Sequence, residues 1–536
     1  MSRRRPKVNY WQDAPMPRDQ IVLFAETLEE RISQDHPVRL LDEILDQMDW
    51  NDFESKYHGK TGQPPIHPSI LCKVLLFSMI RRIRSSRQME YNVVHSIDFI
   101  WLSSGRAIDH TTLSEFRRKH AEQLKSLYRQ VVQLAVQMGV AKLSELCIDG
   151  TRVLANANRY KTLKVDKVEK LLLELEQQMS VAFKETETND SIDELFDTGN
   201  EAVDKLPESL RDMQVRQQML KDALETLKAM ELQRKKDGID PKKNPAQLPT
   251  NDHDSRILPN KEGGYAPNYT PMAVTETING FIVGADVLIG VVEHTQLMSM
   301  VDTVESDFDT KVETVMADTI YSTGPNLRAA EARNMEILSP MRQEECPDNL
   351  ATREDPSQPV SEDQVPQLPI NPTTKHFDKK AFLYDPENDC YFCPMGKKLV
   401  SEGTENMDQG GEQFIRTRYR CRECQGCPLA TLCRPNPDSP NGRRVTRDEF
   451  ESVRQRQRER MAKQENKERY KRRQHFGETP FAVLKSAMDL RRFLLRGLPG
   501  VQQEWLWGCT SFNIKKLMSM WGALRLQLET KAINQV

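Results

Sequence analysis

A chain of 536 residues, 38% hydrophobic and 29% charged, is long enough to bury a sizeable core and to hold two or three domains. Its formal net charge of −3 neither requires nor excludes a nucleic-acid partner, because affinity for phosphate depends on where Lys and Arg are placed. No apolar run reaches the length of a membrane span, so we expect no membrane partner. The charged start Met1–Arg5 has no apolar signal region behind it, and we expect a cytoplasmic protein.

Residues 1–140 are predicted to be mostly helical. Ile70–Ile83 reads as an apolar helix that Pro68 introduces. Asp109 is placed to cap a second helix over Thr112–Gln137, which has one apolar side. Arg117 and Arg118 lie in the early turns of that helix. They fit either a DNA contact or a solvated basic face.

The middle of the chain alternates strand-like and helical patterns, which predicts an α/β sheet. The strand-like runs are Leu143–Leu154, Ala273–Ile278, Phe281–Ile289 and Lys311–Ala317, with a crossover helix over Gln296–Val304. Helical spacing in Val165–Phe183 and Met213–Leu232 predicts a helical hairpin inserted into the sheet domain. Residues 344–367 are rich in Pro, Glu and Asp and predict a disordered linker.

Six cysteines are clustered after that linker. They are Cys390, Cys393, Cys421, Cys424, Cys427 and Cys433. Paired CxxC motifs fit tetrahedral Zn²⁺, and in a reducing compartment cysteines suggest metal or free thiols in place of disulfides. The first four are the simplest ligand set, and Cys427 and Cys433 are alternatives for two of them. Unmetallated thiols and an iron–sulfur cluster are the other interpretations.

Three acids carry the candidate chemistry. Asp149 and Asp318 each end an apolar, strand-like run, and Glu478 stands seven residues before Lys485 on one face of a predicted helix. Either aspartate alone is an ordinary turn or capping residue. Together, two aspartates and a glutamate are a set that can hold two divalent ions for in-line displacement at a phosphodiester, and oxygen ligands suit Mg²⁺ or Mn²⁺. Glu468 is the competing third acid.

A basic segment precedes Glu478. From Arg454 to Arg473 there are ten Lys and Arg against three Glu, which reverses the balance of the whole chain. Such a stripe, leading towards the acids, is predicted to guide a phosphate backbone. A solvated helical face is the alternative.

Several short motifs, in this order and spacing, resemble the DDE transposases of bacterial insertion sequences, in particular group eleven-eighty-two. They are Pro64–Pro68, Asp109–Leu113, Ile148–Thr151, Gly263–Tyr265, Ala317–Asp318 with Tyr321 and Asn326, and Arg491–Gly497. The resemblance covers residues 64–517. It implies an RNase-H-like core with Asp149, Asp318 and Glu478 as the catalytic, metal-holding acids.

The resemblance also implies a Tyr, Arg, Glu, Lys pattern on the glutamate helix, which Tyr470, Arg473, Glu478 and Lys485 match except for one extra residue between the second and third. Lys485 and Arg473 would hold phosphates and Tyr470 would pack against DNA. The implied partners are double-stranded DNA, as element ends and target, and a second copy of the chain in a homodimer, acting in the bacterial cytoplasm at the nucleoid.

The predicted fold class is therefore α/β, with an RNase-H-like mixed sheet flanked by helices. We expect a helical DNA-binding domain at 1–140, the first part of the core at 141–340 with a helical insertion at 160–250, a linker and Cys-rich zinc insertion at 341–440, and the glutamate helix and last helices at 441–536. The predicted function is DNA cleavage and strand transfer. A nuclease that does not join strands and a non-catalytic DNA-binding regulator are the alternatives.

Overall fold

A computed structural model describes most of the chain: residues 27–57, 65–187, 208–236, 238–260, 263–341, 351, 353–409 and 412–533. The basic start of the chain, Cys346 and most of the acidic piece between the two predicted hairpin helices lie outside these residues. No helix in the described ranges is long and apolar enough to cross a membrane.

Seven helices form the N-terminal region. They are α1 Pro37–Asp46, α2 Asn51–Glu54, α3 Pro68–Ile80, α4 Ser86–His95, α5 Ile97–Leu102, α6 His110–Lys119 and α7 Ala121–Gln137. Helix α3 is buried almost all round, as its continuous apolar sequence predicts. Asp109 caps α6 by accepting the Thr112 N–H at 2.8 Å. The single helix predicted over Thr112–Gln137 is wrong, because His120 leaves the helical conformation and divides it in two.

The middle region contains a mixed sheet and an inserted helical pair. Its elements are β1 Glu145–Gly150, β2 Val153–Leu154, β3 Thr162–Leu163, α8 Val165–Glu187, α9 Glu208–Lys236, β4 Leu248–Pro249, β5 Arg256–Pro259, β6 Tyr265–Glu276, β7 Ile282–Leu288, α10 Leu297–Phe308, β8 Thr314–Ala317, α11 Gly324–Ala332 and β9 Glu336–Leu338. Helices α8 and α9 pack on each other around a small apolar core of their own, which confirms the predicted hairpin.

The main sheet runs in the order β7-β6-β1-β8-β9, with β2 and β5 also paired to β6. The pairs β7–β6 and β6–β1 are antiparallel, and the pairs β1–β8 and β8–β9 are parallel. Strand β1 is central, and its residues Leu146, Cys147 and Ile148 are all buried, which explains the unbroken apolar run before Asp149. The fold is therefore a mixed α/β fold, as predicted.

The Cys-rich segment forms a separate five-stranded antiparallel sheet with its own core. Its elements are β10 Leu383–Asp385, β11 Cys390–Phe392, β12 Lys398–Gln409, β13 Glu412–Cys421, the short helix α12 Ala430–Cys433 and β14 Arg444–Asp448. Ala351, Val360 and Leu368 are buried in this core. The prediction of a disordered linker is therefore wrong for 353–367, because apolar residues within that polar segment pack against the sheet.

Four helices complete the chain: α13 Glu451–Ala462, α14 Gln464–Lys471, α15 Arg473–Ala482 and α16 Leu498–Ile533. Helix α16 docks on the main sheet, where the Asn513 side chain donates to the Ile282 carbonyl at 2.7 Å and accepts its N–H at 2.9 Å. Tyr128 of α7 donates to the same carbonyl. The N-terminal helices and the sheet therefore share one core around α16, and residue 140 does not divide two independent cores.

A buried ion pair joins the two ends of the chain. Arg84, after α3, bonds to Glu504 of α16, and both side chains are less than a tenth exposed. Arg84 also donates to the Asp489 carbonyl at 2.5 Å. Glu504 accepts the N–H groups of Leu494 and Leu495, each at 2.9 Å. This pair therefore fixes the loop before α16 to the N-terminal helices.

We predict that Glu504→Ala lowers the free energy of unfolding by about 3–5 kcal/mol, because it leaves the Arg84 guanidinium buried without its counter-charge. Denaturant titration followed by circular dichroism measures this loss. The control is Arg333→Ala, which removes an exposed partner of Asp302 and is expected to cost about 1 kcal/mol or less. Equal losses in the two variants would show that the buried pair has no special role.

Candidate active site

Two carboxylates meet at one edge of the main sheet. Asp149 is near the end of β1 and Asp318 follows β8, and the two strands are parallel neighbours with Ile148 opposite Ala317. Because parallel strands end at the same edge, the topology brings these acids together. One guanidinium nitrogen of Arg473, from α15, lies 3.0 Å from Asp149 Oδ2 and 4.0 Å from Asp318 Oδ2. The two aspartates thus lie close together, as predicted, and the Arg473 guanidinium is the cation that they share.

The carboxylates of Asp149 and Asp318 carry more negative charge than the single arginine between them compensates. Burial raises the pKa of Asp149, Arg473 and the Gly150 N–H oppose this, and the nearby Asp318 and Glu293 raise the pKa further. Although burial disfavours its charge, Arg473 has a raised pKa, chiefly because of Asp149. The arrangement is therefore an acidic pocket held together by one arginine, and it favours a cation.

Glu293, a further acid at this pocket, was not found by the sequence analysis. It precedes α10 and is almost fully buried, with an ion pair to Arg152 at 2.9 Å. A side-chain carbon on Gly150 would come 2.5 Å from Glu293 Oε2, so a larger residue here would make the Glu293 side chain move. The only sequence signal was that glycine directly after Asp149.

Tyr321 and Asn326, two residues of the Ala317–Asn326 motif, have structural explanations here. The Tyr321 hydroxyl is buried without a hydrogen-bond partner in the described part of the chain, and burial, Glu293 and Asp149 raise its pKa. The Asn326 amide donates to the carbonyls of His294 and Tyr321, at 2.9 and 3.0 Å. Asn326 therefore ties the loop after Glu293 to the loop after Asp318.

Glu478 lies beside the pair without joining it. A side-chain carbon on Gly477 would come 3.2 Å from Asp149 Oδ2, so the backbone of α15 rests directly on that carboxylate. Glu478 is the next residue, and its side chain is exposed. Within the described ranges no three His, Cys, Asp or Glu side chains are grouped to hold a metal ion. Two of the three predicted acids are thus brought together, and the third is adjacent.

Lys485, the basic residue of the predicted helix pattern, contacts the chain next to Asp149. It lies in a π-helical turn, Val483–Ala487, that follows Pro480. Its ammonium donates to the Thr151 hydroxyl and the Arg152 carbonyl, both at 2.6 Å. Lys485 therefore fixes the chain just after Asp149.

Tyr470, another residue of the predicted helix pattern, is half-buried and packs against Met316 and Leu338. It is close enough to Arg473, Asp318 and Asp149 for their charges to act on its pKa, and its contact with DNA stays a prediction. Glu468, the competing acid, is exposed and paired with Lys471 at 2.8 Å, so it lies outside the pocket.

The basic segment 454–473 is largely neutralised by neighbouring acids. Arg454 pairs with Asp448 at 2.7 Å and Arg456 with Glu331 at 2.6 Å. Arg469 bonds to both Glu145 and Glu336, at 2.6 and 2.8 Å. The prediction that this segment guides a phosphate backbone therefore loses its physical basis, because these arginines hold the helices onto the sheet domain. Sequence counting found the arginines but not the distant partners Glu331, Glu145 and Glu336.

Arg117 is also turned inwards. It donates to the Arg84 carbonyl at 3.1 Å, and burial lowers its pKa. It is therefore not available to DNA in this arrangement, contrary to its predicted role. Arg118 is exposed and remains a candidate DNA contact.

The Cys-rich unit places five of its six thiols around one cavity, although no three of these described side chains are close enough together to hold a metal ion in this arrangement. Cys393, Cys421, Cys424, Cys427 and Cys433 line one cavity, and Cys390 is not among them. A hydrogen bond from Cys421 lowers the pKa of Cys393 to about 6. Backbone N–H groups also point at two sulfurs: Lys397 donates to Cys393 and Arg443 to Cys424, each at 3.4 Å. The simplest predicted ligand set thus includes one cysteine, Cys390, that faces elsewhere.

Comparison with protein families gives two matches. Residues 392–518 match a model described as "Transposase DDE domain", and residues 26–119 match one described as "Transposase domain (DUF772)". These two stretches are therefore similar to the domains of DNA transposases, and the chain is called the transposase below. A transposase DDE domain implies an enzyme that cleaves DNA and transfers strands. The matched stretches include Glu478 but neither Asp149 nor Asp318.

Among solved structures, the transposase is similar to the piggyBac transposase in a synaptic complex with hairpin DNA. The two share 11% identity with a TM-score of 0.30, and the alignment covers 90% of this chain and 74% of that one. At that score the similarity does not decide the fold, which rests on the strand order above. No curated protein matches the transposase.

We predict that Arg473→Gln makes the transposase bind Mn²⁺ about tenfold more tightly or better, because the guanidinium and a divalent cation compete for the field of Asp149 and Asp318. The variant is also expected to be less stable without metal and to gain more thermal stability when Mn²⁺ is added. Isothermal titration calorimetry and thermal melting measure the two effects.

The matched control is Arg472→Gln, since Arg472 is exposed and its acidic partner is Glu145, outside the pocket, at 3.6 Å. Unchanged Mn²⁺ affinity in the Arg473 variant would mean that the carboxylate pair does not hold the ion.

Proposed function

We propose that this transposase cuts the ends of its own element and joins them to target DNA at the pocket of Asp149 and Asp318, with Glu478 as the third acid. The observation that carries the proposal is the convergence of the two aspartates, from neighbouring parallel strands, on the single guanidinium of Arg473. The two carboxylates of this pocket need a positive charge beside them, and a divalent cation can supply that charge.

We propose that the core is RNase-H-like and that the element belongs to group eleven-eighty-two. The strand order β7-β6-β1-β8-β9, antiparallel on one side of β1 and parallel on the other, supports the first point. Helices α10, α11 and α15 flank that sheet, as an RNase-H-like core requires. The motifs quoted for the sequence support the second point.

The donor set fits Mg²⁺ or Mn²⁺, since it offers carboxylate oxygens and no nitrogen or sulfur ligand. Asp149, Asp318 and Glu478 would hold such ions, which when bound activate the attacking oxygen and stabilise the leaving oxygen of an in-line displacement. Glu478 directly follows Gly477, whose backbone rests on Asp149, so Glu478 is the acid of helix α15 that lies next to the pocket. Arg473, released from the acids, is positioned to bind a phosphate oxygen. Lys485 and the buried Glu293–Arg152 pair keep Asp149 in place.

We predict that Asp149→Asn and Asp318→Asn each slow DNA cleavage by about a thousandfold or more, since metal coordination supplies several kcal/mol of transition-state stabilisation. Glu478→Gln is expected to match them. DNA binding should survive in all three, because affinity for phosphate comes from Lys and Arg. The assay is Mn²⁺-dependent nicking and joining of DNA that carries the sequences flanking the gene.

Two control variants sharpen this test. Glu468→Gln removes an exposed acid of a neighbouring helix and should leave cleavage unchanged. Glu293→Gln keeps the shape of the side chain near Gly150, and we expect a smaller loss from it than from Glu478→Gln. A larger loss in the Glu293 variant would make Glu293 the third acid. Cleavage without joining of pre-cut ends would identify a nuclease.

We propose further that the Cys-rich unit binds one Zn²⁺ in a structural role. Five thiols line one cavity and two of them accept backbone N–H groups, which is the outer-shell support that metal thiolates need. Cys393, Cys421 and Cys424 would be ligands, with the fourth from Cys427 or Cys433. The predicted Mg²⁺ or Mn²⁺ and the Zn²⁺ would thus occupy separate sites with different ligand chemistry.

We predict about one zinc per chain by elemental analysis, and a loss of that zinc with lowered thermal stability in Cys424→Ser, because structural zinc contributes folding free energy. Cys390→Ser is the matched control and should keep its zinc, since Cys390 does not line the cavity. Purified wild-type protein without zinc or iron would rule the site out.

The partners proposed with this function are the element ends, the target DNA and a second copy of the chain, so that two ends are held together. Such an enzyme would work on DNA in the cytoplasm.

A further inference from the structure

A second basic surface, distinct from the segment 454–473, lies beside the strand that follows Asp149. A groove of about 430 Å³ runs between the start of the helical insertion and the loop before α16. Its polar lining consists of Arg159, Arg492, Arg496, Asn156, Asn158 and Asn251. We call this feature the arginine groove. It has three cations and three amides and contains no acid among its lining residues.

The charges of the arginine groove are not neutralised in the described part of the chain. Arg159 and Arg492 are exposed, and no acidic partner is found for either. Arg496 is exposed too and donates to the Asn156 carbonyl at 3.1 Å, a contact that leaves its charge uncompensated. By contrast, arginines of segment 454–473 form ion pairs with acids that include Asp448 and Glu331. Unpaired arginines in a groove are the feature that a phosphate backbone recognises.

The groove is fixed to the active site by backbone bonds. The Leu154 N–H donates to the Arg491 carbonyl at 3.1 Å, and the Phe493 N–H donates to the Leu154 carbonyl at 2.8 Å. Leu154, one of the residues that line the groove, lies five residues after Asp149, so the backbones of these two residues are at most about 18 Å apart. A strand held at Asp149 can therefore continue into the groove.

An aromatic side chain at the groove favours a single strand over a duplex. Tyr160 is 80% exposed, and the Arg159 guanidinium lies 4.6 Å from its ring centroid. An exposed ring next to unpaired arginines is the combination that binds unpaired nucleotides, by stacking on the base and by charge on the phosphate.

We propose that the arginine groove binds a single DNA strand that leaves the active site, through Arg159 and Arg492 at phosphates and Tyr160 at a base. This proposal rests on the proposed function of the Asp149 pocket and adds to it the path of the strand. The asparagine amides line the same path and can bond to either sugar or phosphate oxygens.

The test measures the affinity of the full chain for a fluorescent poly(dT) oligonucleotide over a range of salt concentrations. The double variant Arg159→Ala/Arg492→Ala should bind more weakly and should lower the slope of log affinity against log salt by about 1.4, which is about 0.7 for each lost phosphate contact on a single strand. Tyr160→Ala should weaken binding without changing the slope. Arg496 is left in place because it supports the Asn156 backbone.

The matched control is Arg333→Ala/Arg456→Ala, which also removes two exposed positive charges, both already paired with acids, Asp302 and Glu331. It should leave the slope unchanged. An equal fall in both double variants, or no fall in the groove variant, would overturn the proposal. Melting temperatures of all variants show that the chain is folded.

The same preparations separate this proposal from the proposed function. If Asp149→Asn abolishes cleavage while the groove variant keeps the wild-type slope, only the groove is wrong. If Asp149→Asn still cleaves, the pocket is wrong, whatever the groove does.

Discussion

The repulsion between Asp149 and Asp318 is the constraint on which the site depends. Two carboxylates on neighbouring parallel strands, one of them mostly buried, require a cation between them. Arg473 supplies it, and the missing side chain of Gly477 lets helix α15 lie closely against Asp149. The surrounding contacts serve the same arrangement. Lys485 holds the chain after β1, and Asn326 joins the loops that follow Glu293 and Asp318. In the proposed function, a divalent ion would take the place of the Arg473 side chain between the two carboxylates.

The positive charge of this transposase is divided between two roles. The most basic segment of the sequence, 454–473, is structural, because its arginines bond to acids on β1, β9 and α11. The arginines that line the groove beside Leu154 are fewer, but none of them has an acidic partner among the residues that the structure describes. Affinity for DNA depends on charge that is free to meet phosphate, so local pairing matters more than local composition. A net charge of −3 is compatible with DNA binding for the same reason.

Helix α16 makes the chain one cooperative unit. It packs on the N-terminal helices and on the main sheet, and Asn513 satisfies both backbone groups of Ile282. Glu504, paired with Arg84, also holds the loop that forms one wall of the arginine groove, because it accepts two backbone N–H groups of that loop. A change in the N-terminal helices can therefore move the loop that lines the arginine groove.

The sequence by itself predicted most of the elements and named the candidate acids. Apolar runs that end in Asp149 and Asp318, helical spacing from Glu478 to Lys485, the Asp109 cap and the CxxC spacing are local patterns, and local physics governs them. It predicted the mixed α/β class and the helical hairpin for the same reason. Where sequence rules failed, as at His120 and in residues 353–367, tertiary packing overrode the local preference.

Only the tertiary structure decided which charges are paired, since ion pairs join residues far apart in sequence. Arg456 meets Glu331, Arg473 meets Asp149, and Arg117 turns towards Arg84, and no spacing rule encodes these contacts. The same holds for Glu293, which lies 143 positions after Gly150 in the sequence and comes next to it only in the folded chain. Nothing in the sequence around Glu293 indicates this. It holds for Cys390 as well, whose strand turns it away from the other five thiols. The residue types along the chain indicate which chemistry is possible. Long-range contacts, which form only when the chain folds, decide which of those side chains are available for it.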